Sequence, residues 1–133
     1  AALNANLLTS VRLVKAAVPH MRTAGWGRIV LCASTSVKQP IPHLALSNAA
    51  RAGLWGWAKT AAQDLFAGGI TLNLVLPGYH ATDRLLAVGV PEGVPLGDPV
   101  DFGKVVTFLC SDPARFVSGS AIAVDGARIL GLS

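Results

Sequence analysis

Three short, continuous apolar runs separated by longer stretches of helical periodicity limit what this chain can fold into. The runs are Arg28-Ile29-Val30-Leu31-Cys32-Ala33, Ile70-Thr71-Leu72-Asn73-Leu74-Val75-Leu76 and Ala121-Ile122-Ala123-Val124. They are continuous rather than alternating, as expected of strands covered on both faces in a parallel sheet. Strands that alternate with helices require crossover connections, which give parallel pairing. The expected fold is therefore α/β, with about three parallel strands and helices on both faces.

The helices can be read from spacing and stop signals. Leu3, Leu7, Val11, Val14, Val18 and Met21 fall on one helical face. They predict a first helix over 2–23, stopped by Gly25, with Pro19 expected to kink it or end it early. No convincing cap residue precedes this pattern, so the chain is expected to open inside, or just before, a helix. A long helix is predicted over 44–66, closed by Gly68-Gly69. Residues 34–43 read as a polar loop, and 79–99 as irregular chain with one helical turn. Asp98 or Asp101 is placed to cap a third helix that runs to Cys110.

Composition sharpens one expectation. The chain is 52% apolar and 14% charged, against about 25% charged in an ordinary soluble domain. These values exclude disorder. The long helix carries Ala49, Ala50, Ala52, Gly53, Leu54, Trp55, Gly56, Trp57, Ala58, Ala61 and Ala62, apolar on nearly every side. Such a helix seeks cover all round, so an oligomer interface through 45–66 is expected, with ordinary core packing as the alternative.

Several classes are set aside. The net charge of +4 comes from 11 scattered basic and 7 acidic residues, with no basic stripe to grip nucleic acid. No run reaches the length of a membrane span, and no secretory signal is visible. A cytoplasmic protein is expected. Cys32 and Cys110 lack metal-ligand spacing and read as two buried, reduced thiols. No metal is expected.

An ordered set of short motifs now becomes specific. It runs from Pro19-His20-Met21 through Gly27-Arg28-Ile29-Val30, Ser34, and the helix opening Ser47-Asn48-Ala49-Ala50-Arg51. It continues with Gly69-Ile70-Thr71-Leu72-Asn73, Pro77-Gly78 with Thr82, Asp98-Pro99-x-Asp101-Phe102, and Gly119 to Gly126. In order and spacing the set resembles the short-chain dehydrogenase/reductase family, most closely its 3-oxoacyl-acyl-carrier-protein reductase-like branch. The resemblance covers the C-terminal half of such an enzyme. It implies a single partial Rossmann-like domain over 1–133 and NAD(P)-dependent carbonyl reduction or secondary alcohol oxidation on a small molecule. NAD or NADP would bind only with the N-terminal half supplied, because no glycine-rich phosphate turn is present. Gly25-Trp26-Gly27 precedes a strand, not a helix. The Ile29 strand should then expose an edge.

The resemblance also implies roles. Ser34 matches the Ser that orients the carbonyl, with a backbone-capping hydroxyl as the bland alternative. Asn6 matches the Asn of a water relay, with Asn4 nearby and a plain surface Asn as alternatives. Ser47 stands at the position of the catalytic Tyr, and Arg51 at that of the Lys one turn on. A serine hydroxyl is a far weaker acid than a phenol and is shorter. Arg51 can still hold ribose hydroxyls but does not give up a proton. Alternatively, Ser47 simply caps the helix and Arg51 pairs at its surface. Pro77, Gly78 and Thr82 match the nicotinamide loop. Tyr79, His80 and His43 are candidate replacements for the lost acid. Gly97 meets Asp98 with no basic residue between, Ala127 replaces a second Gly after Asp125-Gly126, and 83–97 is short for a lid. A non-catalytic subunit that assembles through the long helix is the competing expectation.

Overall fold

The computed structural model describes residues 1–132. A π-helical turn, Asn4–Leu8, runs into α1 (Thr9–Ala24), followed by β1 (Gly27–Cys32) and α2 (Ala45–Phe66). Then come β2 (Ile70–Pro77), the short α3 (Asp83–Val88), α4 (Pro99–Leu109) and β3 (Ala121–Val124). The three strands form one parallel sheet in the order β1-β2-β3, with Ile29 opposite Leu72 and Val75 opposite Ile122. The expected α/β architecture is present, with helices on both faces.

The core follows from strand alternation. On one face Ile29, Ile70, Leu72, Leu74 and Leu76 meet Val14 of α1 and Ala58, Ala62 and Leu65 of α2. Thr71, Asn73 and Val75 point to the other face and are equally buried. There Asn73 ties β2 to the segment that precedes β3 through two side-chain bonds. Its Nδ2 donates to the Val117 carbonyl at 2.7 Å, and its Oδ1 accepts from Ser120 N–H at 3.1 Å.

Three local expectations change, and the choice between Asp98 and Asp101 as a cap is decided. α1 runs through Pro19 to Ala24, and Thr23 Oγ1 donates to the Pro19 carbonyl. Gly25 then ends it at φ 63°, the left-handed stop that glycine adopts freely. α3 is a defined six-residue helix capped by Thr82, where a single turn was expected. Asp98, rather than Asp101, caps α4 by accepting from Val100 N–H at 2.8 Å. Both cysteines are free and exposed rather than buried. Cys32 ends the sheet-edge strand and is only partly enclosed, in the wall of a cavity, and Cys110 follows the last turn of α4.

The long helix is covered on one stripe only. Ala50, Leu54, Ala58, Ala62 and Leu65 are buried against the sheet, while Ala45, Leu46, Ala49, Ala52, Gly53 and Gly56 are exposed. The apolar residues around this helix therefore exceed what the sheet beneath can cover.

Candidate active site

The carboxyl ends of β1 and β2, the start of α2 and the π-helical turn converge on one edge of the sheet. In doubly wound sheets this is where ligands bind, because the connections diverge there and leave a crevice. Asn6 lies within the π-helical turn, and Asn4 is occupied elsewhere. The Asn4 carbonyl accepts from Thr9 Oγ1, and its Oδ1 accepts from Arg12 at 2.9 Å. A π turn inserts an extra residue into a helix and commonly marks functional positions.

Asn6, Ser47 and Arg51 meet. Asn6 Nδ2 donates to Ser47 Oγ at 3.5 Å and Arg51 Nε donates to the same oxygen at 3.4 Å, both at the long end of hydrogen-bond range. Ser47 therefore does not cap α2; it lies inside the first turn and accepts from two neighbours. With both lone pairs engaged, the remaining function of its hydroxyl is to donate its one hydrogen. Arg51 uses one of its five donors on this bond and keeps the others.

Ser34 sits at the start of the next loop, and its Oγ accepts from Ser36 N–H at 3.2 Å. The capping role is thus real, and it leaves the hydroxyl hydrogen available. The following loop is tied down at two points. Asn48 bonds both the N–H and the carbonyl of Ile41, and Gln39 Oε1 accepts from Leu130 N–H at 2.9 Å.

Two cavities flank the Pro77-Gly78 turn. The first, about 570 Å³, is lined by Cys32, Pro77, Gly78, Thr82 and the apolar Leu85, Val88 and Phe102. The second, about 400 Å³, holds Ser34, Thr35, Gln39, Tyr79 and Arg128 beside the same Pro77 and Gly78. Gly78 has a strict steric reason to be glycine, since a Cβ there would lie 2.6 Å from Asp125 Cα. In the first cavity, desolvation pushes the Cys32 thiol above its ordinary 9.0, against a weaker opposing pull from the Arg51 charge.

The candidate residues thus divide into three groups. Asn6, Ser47 and Arg51 form one cluster, Ser34 faces the second cavity, and Thr82 faces the first. Thr82 also caps α3 by accepting from Leu85 N–H at 3.3 Å. His43 does not extend α2 toward Ser47; it sits outside the helix at φ 63°. His80 is held by the Gly78 carbonyl at 3.3 Å and by an edge-on contact with Phe102. Arg128 had no functional signal in the sequence, because its neighbour Tyr79 lies far along the chain. Among the described residues no group of three or more His, Cys, Asp or Glu could hold a metal, and no helix is long and apolar enough to cross a membrane.

A profile of the family described as enoyl-(acyl carrier protein) reductase matches residues 1–127. The 3-oxoacyl-[acyl-carrier-protein] reductase MabA of Mycobacterium tuberculosis is 33% identical, over 97% of this chain and 56% of that protein. The corresponding FabG of Haemophilus influenzae is 34% identical, over 94% of this chain and 55% of its own length. The crystal structure of acetoin dehydrogenase from Enterobacter cloacae superposes with a TM-score of 0.86 at 26% identity, covering 96% of this chain and 54% of that one. The chain thus spans little more than half the length of these relatives.

Proposed function

Taking as premise that the chain belongs to the short-chain dehydrogenase/reductase family, we propose that it is the substrate-side half of an NAD(P)-dependent oxidoreductase. The reaction would be reduction of a small carbonyl compound or oxidation of the corresponding secondary alcohol. The observation that carries this reading is the convergence of Asn6 and Arg51 on one oxygen, that of Ser47, while Pro77 and Gly78 line the cavities that hold Thr82 and Ser34.

The residues present fit the nicotinamide end of such a cofactor. The cavity lined by Pro77, Gly78 and Thr82 has apolar walls suited to a flat ring, and Arg51 keeps free donors for ribose hydroxyls. They do not fit the pyrophosphate end, since the Gly25 and Gly27 backbone closes a helix and opens a strand. When bound, the cofactor supplies or accepts the hydride. In the proposed reaction the Ser34 hydroxyl donates to the carbonyl oxygen and orients it. Ser47, accepting from Asn6 and Arg51, offers its hydrogen on the proton route. Arg51 stabilises negative charge on that oxygen but does not itself release a proton.

Fluorescence titration with NADH and NADPH, followed by turnover of short aldehydes and ketones, tests this. Micromolar binding with turnover lowered by Ser34→Ala supports the reading. Absence of binding in a protein bearing both halves would sink it.

The exposed apolar stripe of α2 supports a second reading. In it the chain associates with another copy, or a related chain, through Leu46, Ala49, Gly53 and Gly56, with or without catalysis. A monomer at micromolar concentration by light scattering would remove it. The two free cysteines suit the reducing cytoplasm, the compartment assigned under either reading.

A further inference from the structure

The cavity beside Ser34 contains a single cation with no carboxylate to neutralise it. Of the side chains that line it, only Arg128 is charged at neutral pH. The ion pairs among the described residues are Arg28 with Asp112 and Lys104 with Asp101, neither of which involves this arginine. Asp125, three residues away, is committed to its own turn. Its two oxygens accept from Ala127 N–H at 3.1 Å and Ile129 N–H at 2.8 Å.

Arg128 is nevertheless held in place. Its guanidinium lies 4.0 Å from the centroid of the Tyr79 ring. Cation–π attraction to the ring holds this exposed side chain in position and leaves its N–H donors for a ligand. The backbone around it is shaped for this position. Ala127 adopts φ 63°, the left-handed region that costs an alanine free energy, and Leu130 is tied back to Gln39. The result is a cationic fork and a hydroxyl, Ser34, in the wall of one cavity of about 400 Å³.

We propose that Arg128, braced by Tyr79, anchors an anionic group of the substrate, a carboxylate or a phosphate, while Ser34 meets its carbonyl or carbinol oxygen. The chain then selects acidic oxo or hydroxy compounds over neutral ones. The oxo or hydroxy part of this assignment rests on the oxidoreductase reading, whereas capture of the anion does not.

Tyr79 is the one tyrosine in the sequence, so its ring resonances report on this cavity directly. The probes are acetoacetate, its neutral methyl ester and inorganic phosphate, titrated without nicotinamide. Acetoacetate should shift the Tyr79 signals with a Kd about tenfold below that of the ester, the discrimination expected of one charge-assisted pair. Arg128→Gln should erase that preference, and Arg128→Lys should keep part of it. Competition by phosphate would extend the anchor to phosphate groups; failure to compete would restrict it to carboxylates. Equal affinity for acid and ester, no shift with acetoacetate, or a preference that survives in Arg128→Gln would each overturn the proposal. In a protein bearing both halves, an intact acid preference without turnover in the presence of NADH or NADPH would sink the oxidoreductase reading alone.

Discussion

Arg51 Nε donates to Ser47 Oγ across 3.4 Å, one helical turn along α2, so these two side chains are bonded to each other. A tyrosine at position 47 would carry its acidic oxygen well beyond the helix backbone, while the serine keeps its oxygen close. The pair forms a hydrogen-bonded link to Asn6, and the serine has less reach and acidity than a tyrosine in its place would have.

That link leads to a gain-of-function prediction. In a protein that binds the cofactor, Ser47→Tyr with Arg51→Lys should raise kcat on a small ketone by about 10²-fold or more, the usual contribution of a positioned general acid. The rate of NADPH consumption, followed across pH, checks it. A rate unchanged by the double substitution would mean that proton transfer at this point does not limit the reaction.

Cys32 gives a prediction in pH. Its thiol is raised above 9.0 because desolvation at the cavity wall outweighs the charge of Arg51. Since the folded state holds this proton more tightly, the contribution to stability is present below the unfolded pKa and fades as pH rises through the raised value. Alkylation of Cys32 by iodoacetamide should therefore be slower at pH 8 than that of a free thiol and accelerate at higher pH. Arg51→Gln removes the opposing pull and should slow it further, which peptide mapping by mass spectrometry would read.

Asn73 is fully buried and supplies two bonds to the segment between α4 and β3. Asn73→Ala should cost about 2–4 kcal/mol, the sum of a small cavity and newly unpaired backbone groups. Urea denaturation at constant m-value measures it.

Ala127 holds φ 63° with its N–H bonded to Asp125. Glycine relieves the left-handed strain but loosens the unfolded chain, so Ala127→Gly should stabilise by only about 0.5–1 kcal/mol. A small rise in Tm is the expected result, and a fall would show that this turn carries no strain.

Much of this architecture was legible because it rests on local chemistry. The apolar runs at Ile29, Ile70 and Ala121, the glycine stop at Gly25, the Asp98 cap and the Gly68-Gly69 break each act within a few residues. The register of motifs from Asn6 to Gly126 also announced the family. The sequence was less informative where a residue's surroundings come from elsewhere in the chain. Cys32 looked buried because its neighbours are apolar, yet β1 is an edge strand and its end opens on a cavity. Ser47 looked like a helix cap, yet α2 begins at Ala45 and Asn6 reaches it from the π-helical turn.

The sequence alone determined that this chain forms parallel strands joined by helices, because hydrophobic periodicity and turn chemistry are properties of neighbouring residues. Only the tertiary structure decided that Asn6 and Arg51 share one serine oxygen, and that Arg128 lies over Tyr79 beside Ser34. Those contacts join segments far apart along the chain. No local propensity encodes them; they arise when sheet order and the crossover helices bring the carboxyl ends of β1 and β2 to one edge.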